Sequence, residues 1–412
     1  MLDINLIREN SEKVKKGIAN KGCPEVLVDK VLDLDKQRRE LIQKVDELRA
    51  DSNKAASERD IEKGRQLKEE LQKIDPELEK IKAEFEEVLM QLPNLPADNT
   101  PIGKNESENK VMRQVGTPAK FNFEPKDHFT LGQNLKIIDF ESGAKVTGSQ
   151  FYFLYNEGVM LELALIQYAM SLLSKEGFIP VITPDLAKSR FYLGTGYAPK
   201  GDEAQTYTIN DEDLGLIATA EVTLAGKHAD EIFAEDQLPI KYIGYSHCFR
   251  KEAGAYGKYS KGLYRVHQFT KAEMFIYCTP ETSVKMHEYL LSLEEKIYQE
   301  LGIPYQVLEM CTGDLGAMAA SKFDIEAWMP GRQEYGEVTS TSNCTDYQAR
   351  NLNIKFKHEG KTEFVHMING TAIATSRCII AILENFQQED GSVLIPEVLQ
   401  KYTGFDRIIP KK

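Results

Sequence analysis

The sequence predicts an α+β fold, in which helices flank an antiparallel β-sheet and an antiparallel coiled-coil hairpin precedes it. Two heptad runs lie in the first hundred residues, a proline-containing segment follows, and alternating strand and helix patterns continue from about residue 129. We therefore predict a helical hairpin arm over residues 1–100, a linker over 101–128 and a mixed domain over 129–412.

The arm is predicted from apolar residues spaced alternately three and four apart, which is the seam of paired helices. The two runs are Leu27, Val31, Leu34, Arg38, Leu41, Val45, Leu48 and Leu67, Leu71, Ile74, Leu78, Ile81, Phe85, Val88, Leu92. The polar segment 51–64 separates them, so the chain is expected to fold back there. At 1.5 Å per residue, a hairpin of this size extends roughly 40–50 Å.

The other helices and strands are predicted from the spacing of apolar residues and from the positions of proline and turn residues. Prolines and turn residues end the helices over 92–109. Amphipathic patterns then predict helices over 158–175, 279–301 and 372–386, and a short strand over 178–182. Strands separated by long connections favour an antiparallel sheet with helices against it.

Composition narrows the functional class. The chain has 412 residues, of which 42% are hydrophobic, enough for a large core. No apolar run could span a membrane, and the charged N-terminus lacks a signal-peptide core, so a cytoplasmic location is expected. Six scattered cysteines without a Cys-x-x-Cys pair indicate free thiols rather than a zinc site. The net charge of −13 argues against a generally basic nucleic-acid binder, although a local basic surface could still bind phosphates.

Residues 249–275, FRKEAGAYGKYSKGLYRVHQFTKAEMF, are the most informative stretch. Two alternating apolar segments flank a loop rich in glycine and lysine, which predicts a β-hairpin. Arg250 and Glu252 are expected to share one strand face, and Phe269, Lys271, Glu273 and Phe275 another. A guanidinium binds phosphate or carboxylate, a ring stacks on a base, and carboxylates accept from amines and hydroxyls. The whole stretch predicts a nucleotide site, whereas Arg-x-Glu alone would favour a surface hairpin with incidental charges.

This stretch resembles motif 2 of the class II aminoacyl-tRNA synthetases, in the form typical of seryl-tRNA synthetases. Other segments resemble the same family in order: the arm helix 34–53, the hinge LPNLPADNTPIG, motif 1 GFIPVITPDL (177–186) with Pro184 at the family's dimer interface, CTGDLGAMAASKFDIEAWMPG (311–331), EVTSTSNCTDYQAR (337–350), and motif 3 NGTAIATSRCIIAILEN (369–385). The resemblance implies a class II catalytic core and a homodimer. It also implies a ligase that converts serine and ATP to seryl-adenylate and transfers the seryl group to serine tRNA, with selenocysteine tRNA left open as a second substrate.

The resemblance also implies an ATP site. Arg250 would bridge the serine carboxylate and the α-phosphate, Glu252 would accept from the adenine amine, and Phe269 and Arg377 would sandwich the base. Taken alone, Phe269 also fits a core residue and Arg377 a surface cation. Arg250 and Arg377 are the expected catalytic residues, and the full ATP set is Arg250, Lys251, Glu252, Val266, Phe269, Glu337, Val338, Thr339, Ser340 and Arg377.

The serine and magnesium sites are implied in the same way. Glu273 and Thr371 would contact the serine hydroxyl, and Thr219 and Glu221 the ammonium; the full set is Thr219, Ala220, Glu221, Arg250, Glu273 and Thr371. Glu337 and Ser340 would hold Mg²⁺, because hard oxygen ligands suit that ion. The same residues could also form a simple turn, and Thr371 could simply pack beside motif 3.

For tRNA, the expected contacts are Arg38, Arg39, Lys54 and Arg65 on the arm and Lys258 and Lys261 in the motif 2 loop. Acidic residues are interspersed along the arm, so its charge pattern alone favours a solvated coiled-coil surface. A solvated surface is also the alternative for the loop, residues 253–265.

Three positions depart from the family pattern. Tyr197 stands where many relatives have glutamine, Gln150 where arginine is expected, and Asn351 where a second arginine would follow Arg350. Two other functions fit parts of the pattern: a synthetase-derived binding or regulatory protein that keeps the fold without aminoacylation activity, and a coiled-coil scaffold. The presence of Arg250, Glu273 and Arg377 argues against the first, and the second leaves the motifs unexplained.

Overall fold

A computed structural model describes residues 1–197, 206–252 and 262–411. The chain divides into two compact units, Met1–Pro96 and Ala97–Lys412. Lys258 and Lys261 lie outside the described residues. No helix among the described residues is both long enough and apolar enough to cross a membrane.

The first unit is helical and is dominated by two long helices. Its elements are α1 (Ile4–Glu9), α2 (Ser11–Ala19), α3 (Val26–Glu58) and α4 (Ile61–Gln91). Arg59 is left-handed with a φ of 57°, and the Asp60 carboxylate accepts from the Lys63 backbone N–H, so a two-residue turn reverses the chain. The expected break over 51–64 is therefore much shorter. Polar residues on an exposed helix face do not end the helix, and buried Ala55 continues its seam.

The α3–α4 seam confirms the heptad prediction. Val45, Ile74 and Leu78 are buried against Leu41, Leu48 and other apolar neighbours. Arg38 occupies a seam position because its guanidinium lies 4.4 Å from the centroid of the Phe85 ring and donates to Asp35. A ring face and a carboxylate together stabilise a cation between two helices.

The second unit combines helices with an extensive sheet. Its helices are α5 (His128–Asn134), α6 (Phe140–Thr147), α7 (Glu157–Lys175), α8 (Ser189–Thr195), α9 (Glu221–Gly226), α10 (Ser283–Glu300), α11 (Tyr347–Leu352), α12 (Thr375–Asn385) and α13 (Glu397–Thr403). Its strands are β1 (Lys110–Val115), β2 (Ile138–Asp139), β3 (Phe153–Leu154), β4 (Ile179–Ile182), β5 (Leu186–Ala187), β6 (Tyr207–Thr208), β7 (Gly215–Leu216), β8 (Ile232–Ala234), β9 (Ile240–Phe249), β10 (Gln268–Cys278), β11 (Tyr305–Glu309), β12 (Ser321–Met329), β13 (Glu334–Asn343), β14 (Lys355–His358), β15 (Lys361–Phe364), β16 (His366–Ala374), β17 (Val393–Leu394) and β18 (Arg407–Ile408).

In the described residues, the main sheet has eight strands in the order β1-β11-β12-β13-β16-β10-β9-β4. Every neighbouring pair is antiparallel except β4 with β9. The fold prediction is confirmed in its antiparallel sheet and flanking helices. The segment 101–128 supplies the edge strand β1, and the helix expected from residue 372 begins at Thr375, because residues through Ala374 pair as β16.

The two faces of the sheet differ, as strand β10 illustrates. Ala272, Met274 and Ile276 join the large core that is shared with α7, α10 and α12. The alternate residues, among them Lys271 and Glu273, line a cleft on the other face. The period of two therefore places the apolar core behind the sheet and the charged residues in front of it.

Candidate active site

The cleft on the open face of the sheet has a volume of about 390 Å³. Twelve residues predicted from the sequence line it: Glu221, Arg250, Glu252, Val266, Phe269, Glu273, Glu337, Val338, Thr339, Ser340, Thr371 and Arg377. Lys251, Thr219 and Ala220 are not among the lining residues. Lys251 is exposed, with its Nζ 5.7 Å from the Tyr207 ring, whereas Thr219 and Ala220 are buried.

The predicted hairpin is the β9–β10 pair, but β9 ends at Phe249. The prediction that Arg250 and Glu252 share a strand face is therefore wrong, because both follow the end of the strand. The Arg250 N–H still donates to the His267 carbonyl, and its guanidinium lies 5.3 Å from the centroid of the Phe269 ring. Glu252 is left-handed with a φ of 48°, lines the cleft and pairs with Arg265 at 3.1 Å.

A β-bulge brings Glu337 and Ser340 to the same cleft. Residues three apart on a regular strand point to opposite faces. On β12, Ile325 pairs with Thr339 of β13, and the next residue, Glu326, pairs with Glu337. Val338 therefore has no partner on β12 and is one extra residue in β13. The extra residue reverses the alternation between Glu337 and Ser340.

Glu337 and Arg377 form an ion pair, with Arg377 Nη1 2.8 Å from Glu337 Oε1. Burial raises the pKa of Glu337, but the nearby charges of Arg377 and Lys322 outweigh it and lower that pKa to about 2. The Arg377 guanidinium also lies 5.0 Å from the centroid of the Tyr264 ring. The sequence interpretation missed Lys322 and Tyr264 as cleft residues. Tyr264 lies within the stretch 249–275 and Lys322 within 311–331, but neither was given a role.

Glu273, Thr371 and Lys271 form a buried polar cluster. The Thr371 hydroxyl donates to Glu273 Oε2 at 3.3 Å, and the Lys271 ammonium pairs with the same carboxylate. Thr371 stands opposite Glu273 because Ala372 is an extra residue in β16. The sequence interpretation placed Lys271 on this face but gave it no role.

Glu221 lies at the buried end of the cleft and accepts three hydrogen bonds. Its donors are Gln348 Nε2 at 2.7 Å, Asn369 Nδ2 at 2.9 Å and the Tyr197 hydroxyl at 3.0 Å. Burial and the neighbouring charge of Glu273 raise the pKa of Glu221 to about 7. Gln348 and Asn369 were not predicted, since no local spacing connects them with Glu221.

The three departures from the family pattern have structural partners. Tyr197 donates to Glu221, the Gln150 carbonyl accepts from the His267 N–H at 3.0 Å, and Asn351 Nδ2 donates to the Gly194 carbonyl at 2.9 Å. Tyr197 is thus the departure that lies within the cleft itself.

The predicted arm cations differ in environment. Arg38 and Arg39 both pair with the buried carboxylate of Asp35, Arg39 at 3.0 Å. Arg65 is exposed and pairs with Glu69 at 3.4 Å, and Lys54 is exposed. Lys54 and Arg65 lie close to the α3–α4 turn, whereas Arg38 and Arg39 lie in the N-terminal half of α3.

Comparison with known proteins gives consistent matches over both units. Residues 1–96 match the model of the seryl-tRNA synthetase N-terminal domain, and residues 205–386 match the tRNA synthetase class II core domain (G, H, P, S and T). The chain is 54% identical over 425 residues to the serine–tRNA ligase of Dictyoglomus turgidum, with full coverage of both chains. It is 50% identical over 422 residues to that of Treponema denticola, covering 99% of this chain and 100% of the relative.

Solved structures agree. The seryl-tRNA synthetase of Pyrococcus horikoshii complexed with ATP superposes with a TM-score of 0.94 at 43% identity, covering 100% of both chains. The cytoplasmic serine–tRNA ligase of Naegleria fowleri in complex with AMP gives 0.90 at 37%, covering 100% of this chain and 99% of that one. A prolyl-tRNA synthetase from Giardia lamblia, at 16% identity and 0.56 over 66% of this chain and 54% of that one, shares the fold alone.

Proposed function

Since the chain belongs to the seryl-tRNA synthetase family, we propose that its cleft activates serine through the residues described above. The chain is a ligase that joins serine to tRNA in two steps. The serine carboxylate attacks the α-phosphate of ATP, which gives seryl-adenylate and releases pyrophosphate. A terminal ribose hydroxyl of tRNA then takes the seryl group and releases AMP. Neither step requires a protein nucleophile, so orientation and well-placed charge supply the catalysis.

Arg250 is the residue we assign to the reacting centre. Its guanidinium enters the cleft beside Phe269, and the Arg250 Nε donates to the Ala218 carbonyl at 3.4 Å, which limits the directions it can take. A positive, planar donor binds the serine carboxylate and the α-phosphate together and balances the charge that develops on the phosphate.

The adenine and serine pockets lie on either side of this arginine in our proposal. Phe269 and Arg377 would hold the base between a ring and a guanidinium plane, with Val266 beside it and Glu252 accepting from its amine. Glu221 and Thr219 would receive the serine ammonium. Of these two residues, Glu221 is the one that lines the cleft. Glu273 and Thr371 would receive the hydroxyl. The joint presence of Glu221, Arg250 and Glu273 in one cleft is the observation that carries this assignment.

The donors in the cleft fit Mg²⁺. Glu337 is ionised at neutral pH, Ser340 offers a hydroxyl in the same cleft, and both are hard oxygen ligands. We propose that these two residues hold the ion. When bound, Mg²⁺ offsets phosphate charge.

We propose that the α3–α4 hairpin binds tRNA. Its helices have 33 and 31 residues, so it reaches roughly 45–50 Å at 1.5 Å per residue. A projection of that length suits an RNA limb that is recognised by shape and backbone. Lys54 and Arg65, near the turn, are both exposed and so available for phosphate contact. Lys258 and Lys261 are proposed to meet the acceptor end.

We also propose a homodimer. Met160 and Leu163 on α7 are exposed, as are Ile179 and Ile182 on β4, where Ile182 is 78% exposed. β4 is the last strand of the main sheet, and Pro184 follows it. Apolar side chains grouped beside a free sheet edge are typical of a surface that another chain covers.

ATP–pyrophosphate exchange with each of the twenty amino acids tests the proposed chemistry. Serine is expected to give the highest kcat/KM, and alanine is expected to be at least about 100-fold worse, because it leaves buried hydroxyl-binding groups unpaired. An amino acid without a hydroxyl that outperforms serine would overturn the assignment of Glu273 and Thr371. Charging of serine tRNA under the same conditions tests the second step.

A further inference from the structure

Lys271 is a buried cation whose role the assignments above leave open. It stands on β10 between Phe269 and Glu273, lines the cleft, and is only 5% exposed. A lysine ammonium is strongly hydrated in water, so burying it is costly unless charged or polar partners replace that water. Its partners therefore indicate what it does.

The partners of Lys271 are the two groups we assign to the serine hydroxyl. Its Nζ pairs with Glu273 Oε2 and lies 3.4 Å from the Thr371 hydroxyl, which itself donates to Glu273 Oε2. Within the described ranges both contacts fall on Oε2, which leaves Oε1 to accept from a ligand. The cluster thus fixes one carboxylate oxygen and presents the other.

The surroundings of Lys271 are rich in acid. Glu273 belongs to the same strand, Glu221 approaches from α9, Glu294 from α10 behind the sheet, and the Cys248 thiol from β9. Arg250 is a second cation close to this group. The charge of Glu273 raises the pKa of Glu221, whereas that of Lys271 opposes this rise. Without Lys271, the carboxylates of Glu221 and Glu273 would lose a nearby positive charge that offsets their mutual repulsion.

We propose that Lys271 is a positioning residue for substrate selection, which holds Glu273 as an oriented carboxylate so that the site accepts from the serine hydroxyl. Without the contacts of Lys271, the Glu273 carboxylate could rotate away from the serine hydroxyl, and the preference for serine over alanine would weaken. Lys271 touches no reacting atom and acts through Glu273. The inference rests on the proposed role of Glu273 in serine activation.

A double-mutant cycle tests this inference. Lys271→Met, Lys271→Arg, Glu273→Gln and the double variant are compared in ATP–pyrophosphate exchange with serine and with alanine. Lys271→Met is expected to lower kcat/KM for serine by about 30-fold or more, mainly through KM, and to change the KM for ATP and kcat/KM for alanine by less than about threefold. Lys271→Arg retains the cation and is expected to recover part of the loss. The double variant should be within about threefold of Glu273→Gln.

Rescue by Lys271→Arg provides a readout that general loosening of the cleft would not give. Arginine retains a cation beside Glu273. The ratio of kcat/KM for serine to that for alanine should therefore recover in Lys271→Arg but not in the uncharged Lys271→Met.

Three results would overturn the inference: an unchanged ratio of serine to alanine, a larger rise in the KM for ATP than for serine, or independent losses in the double variant. If Lys271→Met does not fold, the double variant removes both buried charges, and its comparison with Glu273→Gln shows whether the lysine affects serine activation when Glu273 carries no charge; a loss larger than about threefold there would also overturn the inference. ATP–pyrophosphate exchange by the wild type distinguishes a failure of the proposed function from a failure of the Lys271 inference. A wild type that fails to prefer serine refutes the proposed function, whereas a wild type that prefers serine with an inert Lys271 refutes this inference alone.

Discussion

At the scale of single residues, the cleft depends on charges that neutralise one another before any substrate arrives. Glu337 is paired with Arg377, Glu252 with Arg265, and Glu273 with Lys271. The Arg250 side chain instead lies over the Phe269 ring, and among the described residues its Nε donates a long bond to the Ala218 carbonyl. We therefore expect Arg250 to be the cation most available to substrates.

Arg250→Ala should lower kcat for serine-dependent exchange by about 10²–10³-fold, because the variant loses a charged donor at the developing phosphate charge. The matched control is Arg190→Ala, since Arg190 is half exposed and pairs with Asp230 at the surface. Both proteins should show the same melting temperature within about 2 °C. Exchange by Arg250→Ala within a few-fold of the control would refute the assignment.

Glu221 should give serine binding a pH dependence near neutrality. Its pKa is raised to about 7, so the carboxylate that pairs with an ammonium prevails only above that pH. The serine KM is therefore expected to fall as pH rises from about 6 to about 8 and then to level off. Glu221→Gln should raise the KM at pH 8 and flatten the profile. A wild-type KM that is constant over this range would show that Glu221 does not meet the ammonium.

At the scale of elements, two β-bulges determine which side chains the sheet presents. Val338 in β13 and Ala372 in β16 each add one residue to their strand. The first allows Glu337 and Ser340 to share the cleft, and the second sets Thr371 opposite Glu273. A regular strand would have turned one member of each set toward the helical core.

The base of the arm depends on Asp35, whose buried carboxylate pairs with Arg8, Arg38 and Arg39. Asp35→Ala should lower the free energy of unfolding of this unit by about 2–3 kcal/mol, because three arginines lose their acceptor. Hydrogen exchange along α1 and α3 of the full chain measures this local effect. Asp29→Ala removes an exposed pair with Lys15 and should cost less than about 1 kcal/mol.

The same cluster has a pH signature of its own. Burial raises the pKa of Asp35, but hydrogen bonds from Arg8 and Arg38 outweigh it and lower that pKa to about 2. A depressed carboxyl pKa contributes stability that is present above the unfolded value of 3.8 and is lost as pH falls toward 2. Equal protection of α3 in the Asp35 and Asp29 variants would contradict a stabilising role for Asp35.

At the scale of the whole molecule, we expect serine activation to need the second unit alone and tRNA charging to need the hairpin of the first unit as well. Deleting residues 42–77 and joining the ends by a short glycine-rich turn keeps Asp35 and Phe85 but removes the outer part of the hairpin. Serine-dependent exchange should stay within about twofold of the wild type, whereas tRNA charging should fall by at least about 100-fold. Charging by the full chain, but not exchange, should also weaken with added salt. Normal charging by the shortened protein would show that the arm is a scaffold.

Dimer formation is expected to depend on the apolar surface of α7 and β4. Leu163→Glu places a charge in that surface and should shift the protein toward monomer in light scattering after size exclusion. Val284→Glu is the matched control, because Val284 is similarly exposed but begins α10. A dimer that persists in Leu163→Glu at low micromolar concentration, or a wild type that is monomeric, would exclude this surface as the interface.

The features that repeat along the chain can be predicted from the amino-acid sequence alone. The heptad spacing predicted α3 and α4, and the period of two placed Phe269, Lys271 and Glu273 on one face of β10. The order of the motifs predicted the seryl-tRNA synthetase family, which the full-length relatives confirm. These features were readable because a residue's neighbours on a helix or strand face lie two to four positions away.

The contacts between residues far apart in the sequence follow from the tertiary fold. Tyr197, Gln348 and Asn369 converge on Glu221, and Thr371 meets Glu273 from 98 positions away. Strand β9 ends before Arg250, and Lys271 contacts both Glu273 and Thr371. Sheet order, bulges and the burial of charge produce these contacts. Because each depends on how strands far apart in the chain pair side by side, no local pattern specifies them.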